Sequence, residues 1–252
     1  MNKKTTEFIF LERKDRVSLC NWGNPQIFSQ ADTTYLADII GKNRRLKEVV
    51  LWGYWIKDKG AIKFAEALKG SRSLKLLNLT TNGIGDRGII ALAEALKVNS
   101  TLKELVLTGQ NMGDKGVIEI AEALKHNSGL KELRLHCSDV KDKGAIAIAE
   151  ALKANDTLEY LNLENNLIGD NGAVGFAEAF KINTTLKTID LGWNKITDKG
   201  AMAIVEAFEG NKSLKSVITI DADNISPEIL EKVYLISKER ARNIEHLLGI
   251  VD

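Results

Sequence analysis

Cysteine and proline are almost missing from this chain, with two of each in 252 residues. Cys20 and Cys137 cannot build a disulfide framework, and both read as reduced thiols of a cytoplasmic protein. Two prolines fit a compact array without flexible linkers. An excess of charge is also lacking, since 35 basic residues meet 34 acidic ones. That balance removes the bulk electrostatic argument for nucleic acid or an anionic membrane. No apolar run approaches the roughly 18 residues of a membrane span. Near the N-terminus the run at 8–11, FIFL, is shorter than the about 7–15 residues of a signal-peptide core. The expectation is a monomer in the cytoplasm, with no membrane span and no nucleic-acid partner. No cofactor is expected either.

What is present is one sentence repeated. Residues 158–172 read LEYLNLENNLIGDNG, with Leu158, Leu161, Leu163, Asn166, Ile168 and Gly172 in the frame L-x-x-L-x-L-x-x-N-x-I-x-x-x-G. The frame returns every 28 residues, beginning at Leu46, Leu74, Leu102, Leu130, Leu158 and Leu186. Such a period marks a solenoid of stacked units. Three regions follow: an N-terminal cap and degenerate repeat at 1–45, six repeats at 46–213, and a degenerate repeat with a helical cap at 214–252. Within the first, Leu36 and Ile40 are already in register with Phe64 and Leu68. The strand before them fits only with about four extra residues, placed as an insertion at 23–29.

Each unit should hold a short strand, a turn and a helix. Position 13 is Asp58, Asp86, Asp114, Asp142, Asp170 and Asp198, read as the cap of its own helix. Position 24 is Lys69, Lys97, Lys125, Lys153 and Lys181, read as the last helical turn, where a cation meets the negative end of the dipole. Gly60, Gly88, Gly116, Gly144, Gly172 and Gly200 share position 15, early in the helix. Glycine costs stability there, so a close approach of the neighbouring unit is expected. Parallel strands lie about 4.8 Å apart and helices about 10 Å. Stacking both bends the array into an α/β right-handed β-α solenoid, with parallel strands on the concave face and helices on the convex face.

The leucines, Asn166, Asn194, Gly172 and the 28-residue period resemble the ribonuclease-inhibitor-like class of leucine-rich repeats. The resemblance covers about residues 30–225. That class includes ribonuclease inhibitor, the Ran GTPase-activating protein and sensor regions of nucleotide-binding immune receptors. It implies protein recognition on the concave face and adjoining loops. Bacterial and protist proteins with GDKG-A-x-x-I-A-E-A-L-K repeats are also similar, and some bacterial ones resemble effectors delivered into host cells. The family asparagine at position 9 is present at Asn82, Asn166 and Asn194. It gives way to Tyr54, Gln110, Ser138 and Ala222, where the turn should lose its side-chain bonds.

Function should lie where the repeats differ. Positions 3, 5, 7 and 8 are expected to point from the concave sheet into solvent. Trp52, Tyr54 and Trp55, with Trp22, gather aromatics where turn residues belong. Two readings stand: a binding patch, or packing beneath the N-terminal cap. Arg134, His136 and Cys137, with Glu164 and Asp190, form a mixed polar group. It reads as a recognition surface, since metal-spacing motifs are absent and an open face rarely supplies a catalytic pocket. Trp193 is a lone aromatic further along. The periodic asparagines Asn99, Asn127, Asn155, Asn183 and Asn211 read as structural loop residues rather than glycosylation sites. The leading expectation is a non-catalytic scaffold for an unidentified protein partner. The alternatives are a host-directed bacterial effector working in a host cytosol, with a secretion signal in 237–252, and a GTPase activator resembling the Ran one.

Overall fold

The computed structural model describes residues 15–20, 29–214, 216–218 and 224–247. Among these, strands and helices alternate: β1 (Arg16–Cys20), α1 (Gln30–Lys42), β2 (Glu48–Trp52), α2 (Lys57–Gly70), β3 (Leu76–Asn78), α3 (Asp86–Leu96), β4 (Glu104–Val106) and α4 (Asp114–Leu124). The second half continues with β5 (Glu132–Arg134), α5 (Asp142–Leu152), β6 (Tyr160–Asn162), α6 (Asp170–Phe180), β7 (Thr188–Asp190), α7 (Asp198–Gly210), β8 (Ser216–Ile218) and α8 (Pro227–Leu247). The strands form one parallel sheet in chain order. Register steps by 28 from β2 onward, and β1 joins with Leu19 opposite Leu51. This is the open α/β solenoid that the period demands. Trp22, most of the 23–29 insertion and Ala222 lie outside the described residues.

Leucines of positions 1, 4 and 6 and the aliphatic residue of position 11 stack between sheet and helices. Leu158, Leu161, Leu163 and Ile168 are all fully buried, as are their equivalents in neighbouring units. Helices contribute matched layers, such as Phe64 with Leu68 and Ile148 with Leu152.

The polar code works between units, which corrects three expectations. First, the position-13 aspartates do not cap their own helices. Asp58 Oδ1 accepts from Gly85 N at 2.8 Å and Gly88 N at 3.0 Å, at the start of the next helix. Asp86, Asp114, Asp142 and Asp170 repeat this one unit on. Asp198 reaches Ser226 N, at the start of α8, at 2.7 Å. Each of these aspartates stands in the first turn of its own helix, with its carboxylate turned to the following unit. The next helix start, packed alongside, presents the N–H groups that need an acceptor. Second, Gln110 and Ser138 keep the turn bonds. Gln110 Nε2 donates to Leu79 O at 2.6 Å, and Oε1 accepts from Ile84 N at 3.0 Å. Ser138 Oγ bonds Leu107 O and His136 O at 3.3 and 3.1 Å. Both side chains are buried, where an unmet carbonyl is costly. Third, Lys97, Lys125, Lys153 and Lys181 stand just past the helix end, as cap residues. Each pairs at 2.6 Å with the glutamate three residues earlier.

The position-26 asparagines are a structural ladder. Asn155 Nδ2 donates to Leu124 O at 2.7 Å, and its Oδ1 accepts from Thr157 N and Leu158 N at 3.0 and 2.8 Å. The position-15 glycines also have their reason. A Cβ on Gly172 would lie 2.6 Å from Ile168 Cγ2 and 3.0 Å from both Ala145 Cβ and Asp142 Oδ1. The aspartate can reach the next backbone because no side chain intervenes.

Candidate protein-binding face

Strands β2 to β7 each lead into a turn whose first residue, position 8, sits in the left-handed region. Gly53, Thr81, Gly109, Cys137, Asn165 and Trp193 all have φ between 52° and 77°. Glycine and asparagine adopt this conformation readily, whereas a bulky side chain is strained there. Trp193 combines φ of 54° with 64% exposure. A large ring held outward against a backbone preference is a local conflict of the kind found at functional positions.

Strands β5 to β7 place Arg134, His136, Glu164, Asp190 and Trp193 along one run of the face. Arg134 is the centre. Its Nη2 donates to Glu132 Oε2 at 3.0 Å, and its guanidinium lies 4.9 Å from the centroid of the Tyr160 ring. Its Nε is 3.5 Å from Glu104 Oε1. That contact lacks hydrogen-bond geometry and leaves the buried Nε atom without an acceptor. Burial, then the nearby Glu132, pushes the Glu104 carboxyl above its ordinary range. Burial likewise lowers the His136 imidazole, with Glu164 and Asp190 pulling the other way. At neutral pH His136 is therefore an uncharged group, in contact with Thr108 Oγ1 through Nδ1 at 3.1 Å.

The concave positions are less open than expected. Val106, Asn162 and Asp190 at position 5 are buried. Asp190 is thus wall rather than open surface: its Oδ1 accepts from Gly192 N at 3.0 Å and shapes the turn that carries Trp193. Glu164 is half-buried at the strand end. His136 and Cys137 do not face one another as a nucleophile pair would. Cys137 Sγ instead takes Asn165 Nδ2 at 3.2 Å. Among the described residues, no three His, Cys, Asp or Glu side chains gather as metal ligands. No described helix is long and apolar enough to cross a membrane.

The aromatic group of the first repeat lies at the other end of the array, with β3 and β4 between. The structure divides it. Tyr54 packs on the core and Trp52 is half-buried at the end of β2. Trp55 is 48% exposed, with φ of 50°. Lys57 Nζ stands 5.7 Å from the centroid of its ring.

Two features escaped the sequence reading. The left-handed position was signalled by Gly53, Gly109 and Asn165. The other is a basic row at position 2, before each strand: Lys47, Lys75, Lys103, Lys131 and Lys187, broken by Glu159. Glu159 bonds Lys187, and its Oε1 lies 2.9 Å from Lys131. Those bonds, the one from Lys187 foremost, hold its carboxyl down at about 2.

Sheet, helices and ladders together define a β-α solenoid. The Leucine Rich repeat family matches at residues 70–93, 98–121, 126–149, 154–177 and 183–205. The chain is a leucine-rich repeat protein. Among solved structures, leiomodin-1 actin-binding site 2 is similar, with a TM-score of 0.51 and 21% identity over 63% of this chain and 95% of that one. The tropomodulin C-terminal domain of Caenorhabditis elegans has a TM-score of 0.54 and 16% identity, over 65% of this chain and 98% of its own. At these identities the likeness is one of fold. No curated protein sequence matches the chain.

Proposed function

We propose that the chain is a non-catalytic scaffold that binds one protein partner across strands β5 to β7 and their turns. The observation that carries the reading is Trp193, an exposed ring held in a left-handed turn at the edge of a partly buried polar lattice. Exposed tryptophan and arginine beside apolar and polar contacts are the usual anchors of such interfaces. Arg134 is fixed by Glu132 and Tyr160 before any partner arrives. Little side-chain freedom is then lost on binding.

The test is quantitative affinity purification with wild type and the Arg134→Glu/Trp193→Ala variant at equal amounts. One protein should fall at least tenfold with the variant while the urea midpoint changes little. Equal recovery of every protein by both chains would reject this face. Actin belongs among the purified probes, because the leiomodin-1 structure is described as an actin-binding site. An effector role would place the same face in a host cytosol. Its secretion signal falls in residues 237–252, largely outside the described side chains, and a translocation assay with and without that tail decides it. A GTP-hydrolysis assay separates the GTPase-activator reading, for which Arg44, Arg45 and Arg72 are exposed loop residues.

A further inference from the structure

Beside the first repeat, away from the concave face, lies a groove of about 840 Å³. That volume is in the range of sites that take small ligands or peptide side chains. Its walls are apolar around Trp55, Ile56 and Ile62, between the start of α1 and the start of α2. Its rim is cationic, with Lys57, Lys59, Lys63 and Arg87 facing the single carboxylate of Asp58. Asp58 is already committed, since its Oδ1 holds Gly85 N and Gly88 N. The Trp55 ring lies against Gly83, where an added Cβ would meet Trp55 Cε3 at 3.8 Å. The ring is thus positioned along the groove by the next turn.

The repeat register explains why the groove exists here. Every later helix start, from α3 to α8, is held by an aspartate of the preceding unit. The residue 28 before Asp58 is Gln30, which lines the groove. Helix α2 begins differently: its cap residue is Ile56, in the right-handed region, Lys57 has φ of 52°, and the N–H groups in register with Gly85 and Gly88 are paired within the fold, Lys57 N with Asn82 O at 3.1 Å and Gly60 N with Ile56 O at 3.0 Å. In the later units this location is filled by a carboxylate. Here it is lined by a neutral amide and ringed by cations, and an apolar slot adjoins it.

We propose that this groove docks an acidic peptide segment of a partner protein. Its carboxylates would meet the cationic rim of Lys57, Lys59 and Arg87, and its apolar side chain would lie along Trp55 and Ile62. Charge complementarity fixes the sign of the ligand, because four cations rim an apolar slot whose one acid is spent within the fold. The N-terminal end of α2 adds its dipole to the same preference. The site shares no residue with Arg134 or Trp193, so it stands or falls separately from the concave-face reading.

The probe is a dye-labelled 12-residue peptide of alternating Glu and Leu with one Phe, titrated by fluorescence anisotropy. Its control is the same peptide with Lys for Glu. The Glu peptide should bind the full chain, and binding should weaken roughly tenfold between 50 and 200 mM salt as screening grows. Lys59→Glu/Arg87→Glu and Trp55→Ala should each weaken it at least tenfold, and Trp193→Ala should leave it unchanged. The decisive variant is Gln30→Asp, which sets a carboxylate of the chain itself against the cationic rim. It should weaken the peptide at least tenfold. Equal binding of both peptides, or unchanged binding by Gln30→Asp, overturns the proposal. So does a wild-type chain that fails to bind while Ile27→Ser/Phe28→Ser binds, since the chain's own segment would then be the occupant.

Discussion

Replacing Trp193 tests the strained turn by a reversal of sign. Alanine at this site keeps a Cβ in the left-handed region, which costs an L-residue about 1–2 kcal/mol. Glycine removes that cost but adds freedom to the unfolded chain worth about 0.5–1 kcal/mol. Both variants lose the same ring, so the ring cancels in the comparison. Trp193→Gly should therefore be more stable than Trp193→Ala by roughly 0.5–1 kcal/mol, or about 1–4 °C in Tm for a chain of this size. The internal control is Ile118, an exposed residue within α4. There glycine should fall below alanine by about 1 kcal/mol. Urea and thermal unfolding of the four variants supply the numbers. The reasoning fails if Trp193→Gly is no more stable than Trp193→Ala. Both Trp193 variants should lose partner binding alike if the ring is the anchor proposed above. Retained binding by either would refute that assignment.

Three further outcomes follow from the ladders. Gly172→Ala should lower stability by about 1–3 kcal/mol through overpacking against Ile168, Ala145 and Asp142, although alanine is the better helix former; an unchanged urea midpoint would contradict it. Asn155→Ala leaves the Leu124 carbonyl and the Thr157 and Leu158 N–H groups without their partner and should cost about 2–4 kcal/mol, read as a lower midpoint and faster amide exchange in Thr157 and Leu158. Glu159 is depressed from 4.5 to about 2 in the folded chain. Its stabilisation is therefore complete above about pH 4.5 and is lost as pH falls towards 2. Glu159→Gln should flatten that part of the stability curve and cost under about 1 kcal/mol at neutral pH, since Lys131 and Lys187 are largely exposed. An acid limb unchanged by the substitution would show that the pair contributes nothing.

The sequence made the repeating frame plain because each position is written several times over. Leucine, glycine and asparagine repeat in step, and a period averages away the accidents of single units. What stayed hidden were relations between units. Asp142 was assigned to its own helix because capping is usually sought within a few residues. Its partners lie 27 and 30 positions ahead, a separation visible only once helices are stacked. Gln110 and Ser138 looked like losses at position 9 because residue type was compared rather than reach. A glutamine one methylene longer, or a hydroxyl close to the backbone, meets the same carbonyls. The face was legible in outline, since Arg134, His136 and Trp193 stood out as departures. Asp190 reads as open surface in the sequence, whereas the structure buries it with its carboxylate on Gly192 N. The groove was illegible because its lining comes from three helices and the turn at Trp55, although Gln30 in an aspartate register was its trace.

The relay from each aspartate to the following helix start also bears on how such a chain can change length. A segment of 28 residues removed or duplicated anywhere inside the array restores every donor to an acceptor, because what enters and leaves is one full phase of the pattern. Loss of 27 or 29 would leave an aspartate facing the wrong backbone atom. Growth and contraction are thus permitted only in whole steps, each moving the far end of the sheet by about 4.8 Å. The reach between Arg134 and the groove at Trp55 is then a number of units, which recombination can reset without redesigning either site.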